Sequence, residues 1–221
     1  MTLIVLNFKT YRESTGEQAI RLAEICEDIA NDYSVKMVVV PQVADISVIS
    51  KAVRIPVFAQ HVDGVGYGGF TGHITAASLK EAGATGSLIN HSERRLKLAD
   101  IDASITACRK AGLKMIICTN NVATTRACAA LEPDYVAVEP PELIGSGIPV
   151  SKADPDIVTN SVKAVKNIAP KVGVLCGAGI THGEDLKSAL ELGTEGVLLA
   201  SGIIKAKDQR KALEDLVTGA H

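Results

Sequence analysis

With 221 residues, 47% of them hydrophobic and only 3% aromatic, the chain is long enough for one large domain whose core must be built from Val, Ile, Leu and Ala. Its formal net charge of −2 comes from interspersed acids and bases, without the basic stripe that a nucleic-acid partner requires. No apolar stretch approaches the roughly 20 residues of a membrane span, and five cysteines without a C-x-x-C pair suit reduced, buried thiols, so a cytoplasmic protein with no membrane partner, disulfide frame or zinc site is expected.

Short aliphatic runs alternate with segments of helical spacing, which predicts an α/β fold with a parallel sheet. The strands read as Leu3 to Asn7, Lys36 to Val40, Pro56 to Gln60, Gly86 to Asn90, Lys114 to Cys118, Tyr135 to Val138, Gly173 to Cys176 and Gly196 to Ala200. They are nearly continuously apolar, as strands covered on both faces must be. Ser14 with Glu17 and Thr181 with Glu184 fit capping boxes, Asp154 followed by Pro155 fits an N-cap with a first-turn proline, and Gly83, Gly112 and Gly193 fit helix stops. No linker divides the chain. Residues 1–221 are therefore read as a single domain, and clusters of small residues after the last two strands favour closure into a (β/α)8 barrel over an open doubly wound sheet.

In such a barrel the chemistry collects at the carboxyl ends of the strands. Strand one runs into Asn7-Phe8-Lys9, and a strand's period of two puts Asn7 and Lys9 on one side with Phe8 on the other. A lone Lys at a strand end is ordinarily a solvated charge; one aimed into a barrel mouth is a candidate contact for an anion. Gly64-Val65-Gly66-Tyr67-Gly68-Gly69 matches G-x-G-x-x-G but does not open a helix directly, with the next helix expected near Thr75, so no dinucleotide site is inferred. Strand four leads into Asn90-His91-Ser92-Glu93-Arg94-Arg95. At a helix amino end His91 would stay neutral and donate a hydrogen bond, although a merely structural histidine fits the same place.

Strand six ends at Glu139-Pro140-Pro141, followed by a long segment with Ile144-Gly145-Ser146-Gly147, whose backbone N–H groups can approach an anion closely. Strand seven runs into Cys176-Gly177-Ala178-Gly179 and strand eight into Ala200-Ser201-Gly202, together the composition of a barrel phosphate site. The five histidines lack metal-ligand spacing.

On these residues, with Ala59-Gln60 and Gly69-Phe70-Thr71-Gly72, the chain resembles the triosephosphate isomerase family, in order and spacing, along its whole length. The resemblance implies a TIM barrel that interconverts dihydroxyacetone phosphate and glyceraldehyde 3-phosphate in glycolysis and gluconeogenesis, with no cofactor and no metal. It makes Glu139 the base, His91 the electrophile and Lys9 the cationic contact. Substrate binding falls to Asn7, Phe8, Lys9, Ile144, Gly145, Ser146, Gly147, Gly177, Ala178, Gly179, Ala200 and Ser201. Glu93 is a supporting candidate beside Lys9, with Arg94 or Arg95 as its alternative partner.

The chain is shorter than most such barrels, carries Cys176-Gly177-Ala178-Gly179 where Tyr-Gly-Gly-Ser often stands, and has Pro140-Pro141-Glu142 in place of Pro-Val-Trp. These features resemble the compact archaeal branch. By the same resemblance the glycine-rich loop Gln60 to Gly72 inserts beside a neighbour's site, implying a homo-oligomer, a tetramer ahead of a dimer. The rival readings are another phosphate-binding barrel acting on larger sugar phosphates, and a barrel that binds a phosphate ligand without turnover.

Overall fold

The computed structural model describes residues 1–140 and 149–220. Its eight parallel strands are β1 (Leu3–Asn7), β2 (Lys36–Val40), β3 (Phe58–Ala59), β4 (Gly86–Ile89), β5 (Lys114–Thr119), β6 (Tyr135–Val138), β7 (Gly173–Gly177) and β8 (Gly196–Leu199). They follow one another around the sheet in the order β2-β1-β8-β7-β6-β5-β4-β3. One bridge, Val39 to Val57, and a bond from the Val39 N–H to the Pro56 carbonyl (3.1 Å) complete the circle between β2 and β3. The (β/α)8 barrel expected from the repeat is the observed fold.

Helices α1 (Glu17–Asp32), α2 (Ile46–Ala52), α3 (Ala76–Glu81), α4 (Leu98–Ala111), α5 (Val122–Ala129), α6 (Val150–Ala153), α7 (Pro155–Ile168), α8 (Gly183–Glu191), α9 (Ser201–Ile204) and α10 (Gln209–Val217) surround the strands. Two apolar layers explain the continuous strand sequences. Leu3, Val5, Val38, Val40, Phe58, Leu88, Ile116, Cys118, Ala137, Leu175 and Leu198 fill the barrel interior. Alternate residues such as Ile4, Leu6, Met37 and Val39 face outward against Leu22, Cys26 and Ile29 of α1 and the buried sides of the other helices. Branched aliphatics in both layers pack without a large aromatic inventory.

Several boundaries differ from the sequence reading. β3 is shorter than Pro56 to Gln60, because Pro56 has no N–H to donate and the Gln60 side chain turns toward the backbone carbonyls of Lys9 and Val40. β4 and β8 each stop one residue early: Asn90 turns to φ +63°, and Ala200 already caps α9. Ser14 does not cap α1. Gly16 occupies that position, while the Ser14 hydroxyl donates to the Phe8 carbonyl at 2.7 Å and ties down the chain after β1. At α8 the cap shifts by one, from Thr181 with Glu184 to His182 with Asp185, whose carboxylate accepts from the N–H groups of both Thr181 and His182 at 3.0 Å. Asp154 does cap α7, accepting from the Ile157 N–H at 3.1 Å, and Gly83, Gly112 and Gly193 end their helices with positive φ.

The β1–β8 seam depends on Gly196. A Cβ built there would lie 1.8 Å from the Leu3 carbonyl oxygen, and backbone cannot yield as a side chain can. Gly196→Ala should therefore cost about 3 kcal/mol or more, whereas Gly66→Ala, which meets nothing within 4 Å, should stay within about 0.5 kcal/mol. Urea unfolding followed by far-UV circular dichroism measures both, and equal midpoints would contradict the seam's dependence on glycine.

Candidate active site

The strand ends converge on a cavity of about 370 Å³ lined by Asn7, Lys9, Tyr11, His91, Glu139, Ala178, Gly179, Ser201 and Lys205 among others. Lys9 reaches it by a route the strand period does not describe. β1 ends at Asn7, and Lys9 takes a left-handed φ of +48°, with its N–H donating to Asn7 Oδ1 at 3.0 Å. The Gln60 amide holds this turn from the other side by donating to the Lys9 carbonyl at 2.8 Å. The Lys9 ammonium, 11% exposed, pairs with Glu93 Oε1 at 3.0 Å. Between the two sequence alternatives for Glu93, the structure selects Lys9. Phe8 is corrected: its side chain is fully buried among the helix-facing residues, so it supports the wall and does not face the cavity.

His91 also stands differently from the sequence reading. α4 begins only at Leu98, so no helix amino end acts on the imidazole. Instead, the backbone N–H of Glu93 donates to His91 Nδ1 at 3.2 Å. A nitrogen that accepts carries no proton, which leaves the proton of the neutral ring on Nε2, facing inward. The turn is riveted by Asn90, whose amide donates to the Cys118 carbonyl (2.9 Å) and whose Oδ1 accepts from the Leu96 N–H (2.8 Å). Arg95 adds a bond to the Asn90 carbonyl at 3.0 Å.

Glu139 leaves β6 with its N–H bonded to the Thr119 carbonyl at 2.7 Å and is 4% exposed. Its Oε1 lies 3.7 Å from His91 Nε2, too far for a hydrogen bond, and its Oε2 is buried with no hydrogen bond of normal geometry. The weakly donating Cys118 thiol stands against the carboxylate from the barrel interior, where burial first and then the Glu139 charge push that thiol well above its ordinary range. Gly177 makes the room: a Cβ there would come within 2.4 Å of Glu139 Cγ. Its contribution is thus clearance for Glu139. Ala178 and Gly179 follow, both with φ near +70°, an uncommon conformation for alanine that turns the chain sharply at the cavity edge. Ala200 and Ser201 complete that edge.

Ile144, Gly145, Ser146 and Gly147 lie outside the described residues. Gly64 to Gly69 falls in a loop whose base is pinned by an Asp63–Thr75 bridge and whose tip exposes Tyr67 (90%) and Phe70 (43%). No helix opens from that motif, since α3 starts at Ala76 with Thr75 as its cap. Among the described residues no three His, Cys, Asp or Glu side chains gather as a metal site. A larger hollow of about 1070 Å³ opens at the opposite barrel end, and several of the charges around it are engaged with one another or with backbone. Lys114 pairs with Asp134 at 2.7 Å, and Arg109 bonds the Leu131 and Glu132 carbonyls. Sequence reading missed Tyr11 and Lys205 in the cavity wall and Cys118 behind Glu139; nothing local marks them.

A profile of the triosephosphate isomerase family matches residues 2–219. The triosephosphate isomerase of Methanococcoides burtonii is 64% identical over 216 residues, covering 98% of each chain. That of Methanothermus fervidus is 61% identical over 216 residues, 98% of this chain and 97% of its own. The crystal structure of triosephosphate isomerase from Bartonella henselae superposes with a TM-score of 0.77 over 98% of this chain and 99% of its own, at 22% identity, a likeness of fold.

All five cysteines are free and buried. Burial pushes Cys108 and Cys176 up to about 12 and Cys128 to about 11, so their thiolates are scarce at neutral pH. A chromogenic disulfide reagent at pH 8 should find no fast-reacting thiol in the native protein and all five after denaturation. Prompt native reaction of even one would contradict this packing.

Proposed function

The chain belongs to the triosephosphate isomerase family and is an isomerase of that kind; from this premise we propose that Glu139, His91 and Lys9 carry the interconversion of dihydroxyacetone phosphate and D-glyceraldehyde 3-phosphate. The observation that supports it is the buried Glu139 carboxylate, with one oxygen lacking a normal hydrogen bond and the other facing His91 Nε2 across 3.7 Å. A carboxylate so placed can take the proton from the substrate carbon next to the carbonyl. As the C–H electron pair moves in to form the enediolate, the substrate oxygen gains negative charge. His91 Nε2–H donates to that oxygen, and the Lys9 ammonium adds positive potential beside it. The hydroxyl proton of the enediolate passes from one oxygen to the other by way of His91 Nε2, and Glu139 returns the carbon proton to the neighbouring carbon, so neither atoms nor electrons are gained or lost.

Gly179, Ala200 and Ser201 border the cavity on the side opposite the β4 turn and suit the phosphate, with Asn7 holding Lys9 in place. Binding that remote group orients the reacting carbons. Ala178 shapes the same edge. Free, buried thiols suit a reducing compartment, which supports a cytoplasmic enzyme. The exposed Tyr67 and Phe70 on a loop with a single formal charge, Asp63, support a homo-oligomer, with a tetramer favoured by the compact archaeal resemblance.

Glu139→Gln should lower kcat by about a thousandfold with the fold intact, because the amide cannot accept the proton. His91→Gln should cost closer to tenfold to a hundredfold, roughly, since an amide still donates one hydrogen bond. Turnover in deuterated water, followed by NMR for product and for deuterium at carbon, reads both. Near wild-type exchange in the Glu139 variant removes it as the base. Tyr67→Glu should shift the assembly toward smaller species and lower activity with it, read by light scattering alongside the assay. A fully active wild-type monomer would end the oligomer proposal.

A further inference from the structure

Lys205 lines the same cavity as Lys9, His91, Glu139 and Ser201, entering it from the turn after β8. Its backbone N–H is bonded to the Ser201 carbonyl at 3.1 Å, fixing its root to the turn after β8. Its ammonium crosses to the segment after β1, where it sits 4.5 Å from the centroid of the Tyr11 ring. Tyr11 is half-buried, packs against the core and lines the cavity itself, so the ring face is a fixed platform for the cation.

Its charge is disposed unlike that of the other lysines whose partners are on view. Lys9 is paired with Glu93, Lys114 with Asp134 and Lys166 with Glu195. Among the described residues no carboxylate pairs with Lys205. An aromatic face holds an ammonium without neutralising it, so the positive potential remains available to a ligand. Lys9 has much of its field cancelled at 3.0 Å by Glu93. A dianion entering the cavity therefore meets its uncompensated positive charge at Lys205.

We propose that Lys205, held over Tyr11, is a binding and specificity residue for the phosphate dianion of the substrate. It draws the dianion toward the Ser201 side of the cavity and sets the preference for phosphate-bearing over phosphate-free trioses. This rests on the isomerase reading for the identity of the substrate, but the attraction itself is to any phosphate dianion. Because the ammonium is exposed, its pull is screened by salt over about 8–10 Å.

The test uses the intact enzyme and inorganic phosphate as the probe. At low salt, Lys205→Met should raise KM for the triose phosphate about fivefold and weaken competitive inhibition by inorganic phosphate by about the same factor, with kcat moving less than about twofold. At high salt the two proteins should converge. Lys205→Arg should restore most of the phosphate inhibition, and Tyr11→Phe, which keeps the ring face, should leave phosphate inhibition within about twofold of wild type. Tyr11→Ala should weaken phosphate inhibition in the same direction, and in a Lys205→Met background it should add little, because the two act as a pair. Phosphate inhibition unchanged in Lys205→Met at low salt would overturn the proposal. So would a loss that persists undiminished at high salt, which marks lost packing and not charge. Calorimetric binding of inorganic phosphate to Glu139→Gln with and without Lys205→Met needs no turnover. It decides the role of Lys205 even if the isomerase assignment of Glu139 fails.

Discussion

A Cβ at residue 196 would lie 1.8 Å from the carbonyl oxygen of Leu3, so β8 can pair with β1 only because that position is glycine. The pairing joins the last strand to the first in parallel register. With the strands running the same way around the ring, their carboxyl ends share one mouth. Asn7, Asn90, Glu139, Gly177 and Ala200 are spread over most of the chain, yet closure brings them to one rim. An open sheet with the same strands would set those ends along a line. A second close approach of the same kind, Gly177 under Glu139, then determines where the carboxylate can stand.

The mouth and the base of the barrel differ in how their charges are disposed as well as in hollow volume. At the base, Lys114 with Asp134 and Lys166 with Glu195 are matched pairs near the surface. Such pairs add little to stability, and each partner cancels much of the other's field. At the mouth, His91 has its proton placed by a backbone donor, Glu139 keeps an oxygen without a normal hydrogen bond, and Lys205 rests on an aromatic face. A buried carboxylate oxygen without a normal hydrogen bond is costly, and such groups persist where function uses them.

Ala178 follows the same logic. An alanine at φ +70° is strained, and it sits at the turn after β7 between the clearance glycine and Gly179. At 22% identity the Bartonella enzyme still superposes over nearly the whole chain. What the likeness shows is the fold, and a packed core tolerates wide exchange among residues of similar size.

Sequence alone determined the eight-fold repeat, the double burial of the strands and the polar residues at their ends, because those signals lie in contiguous residues and follow fixed periods. It also placed the Asp154 cap and the glycine stops, where a local backbone geometry admits few residue types. Only the tertiary structure decided that β3 shrinks to Phe58–Ala59, that Phe8 packs into the wall, and that Lys9 enters the mouth through a left-handed turn and not by strand alternation. It likewise placed the donor to His91 on Glu93, the thiol of Cys118 against Glu139, and Lys205 near one end of the sequence over Tyr11 near the other. The last of these contacts exists only once the barrel closes, and no local period carries the distance across a ring.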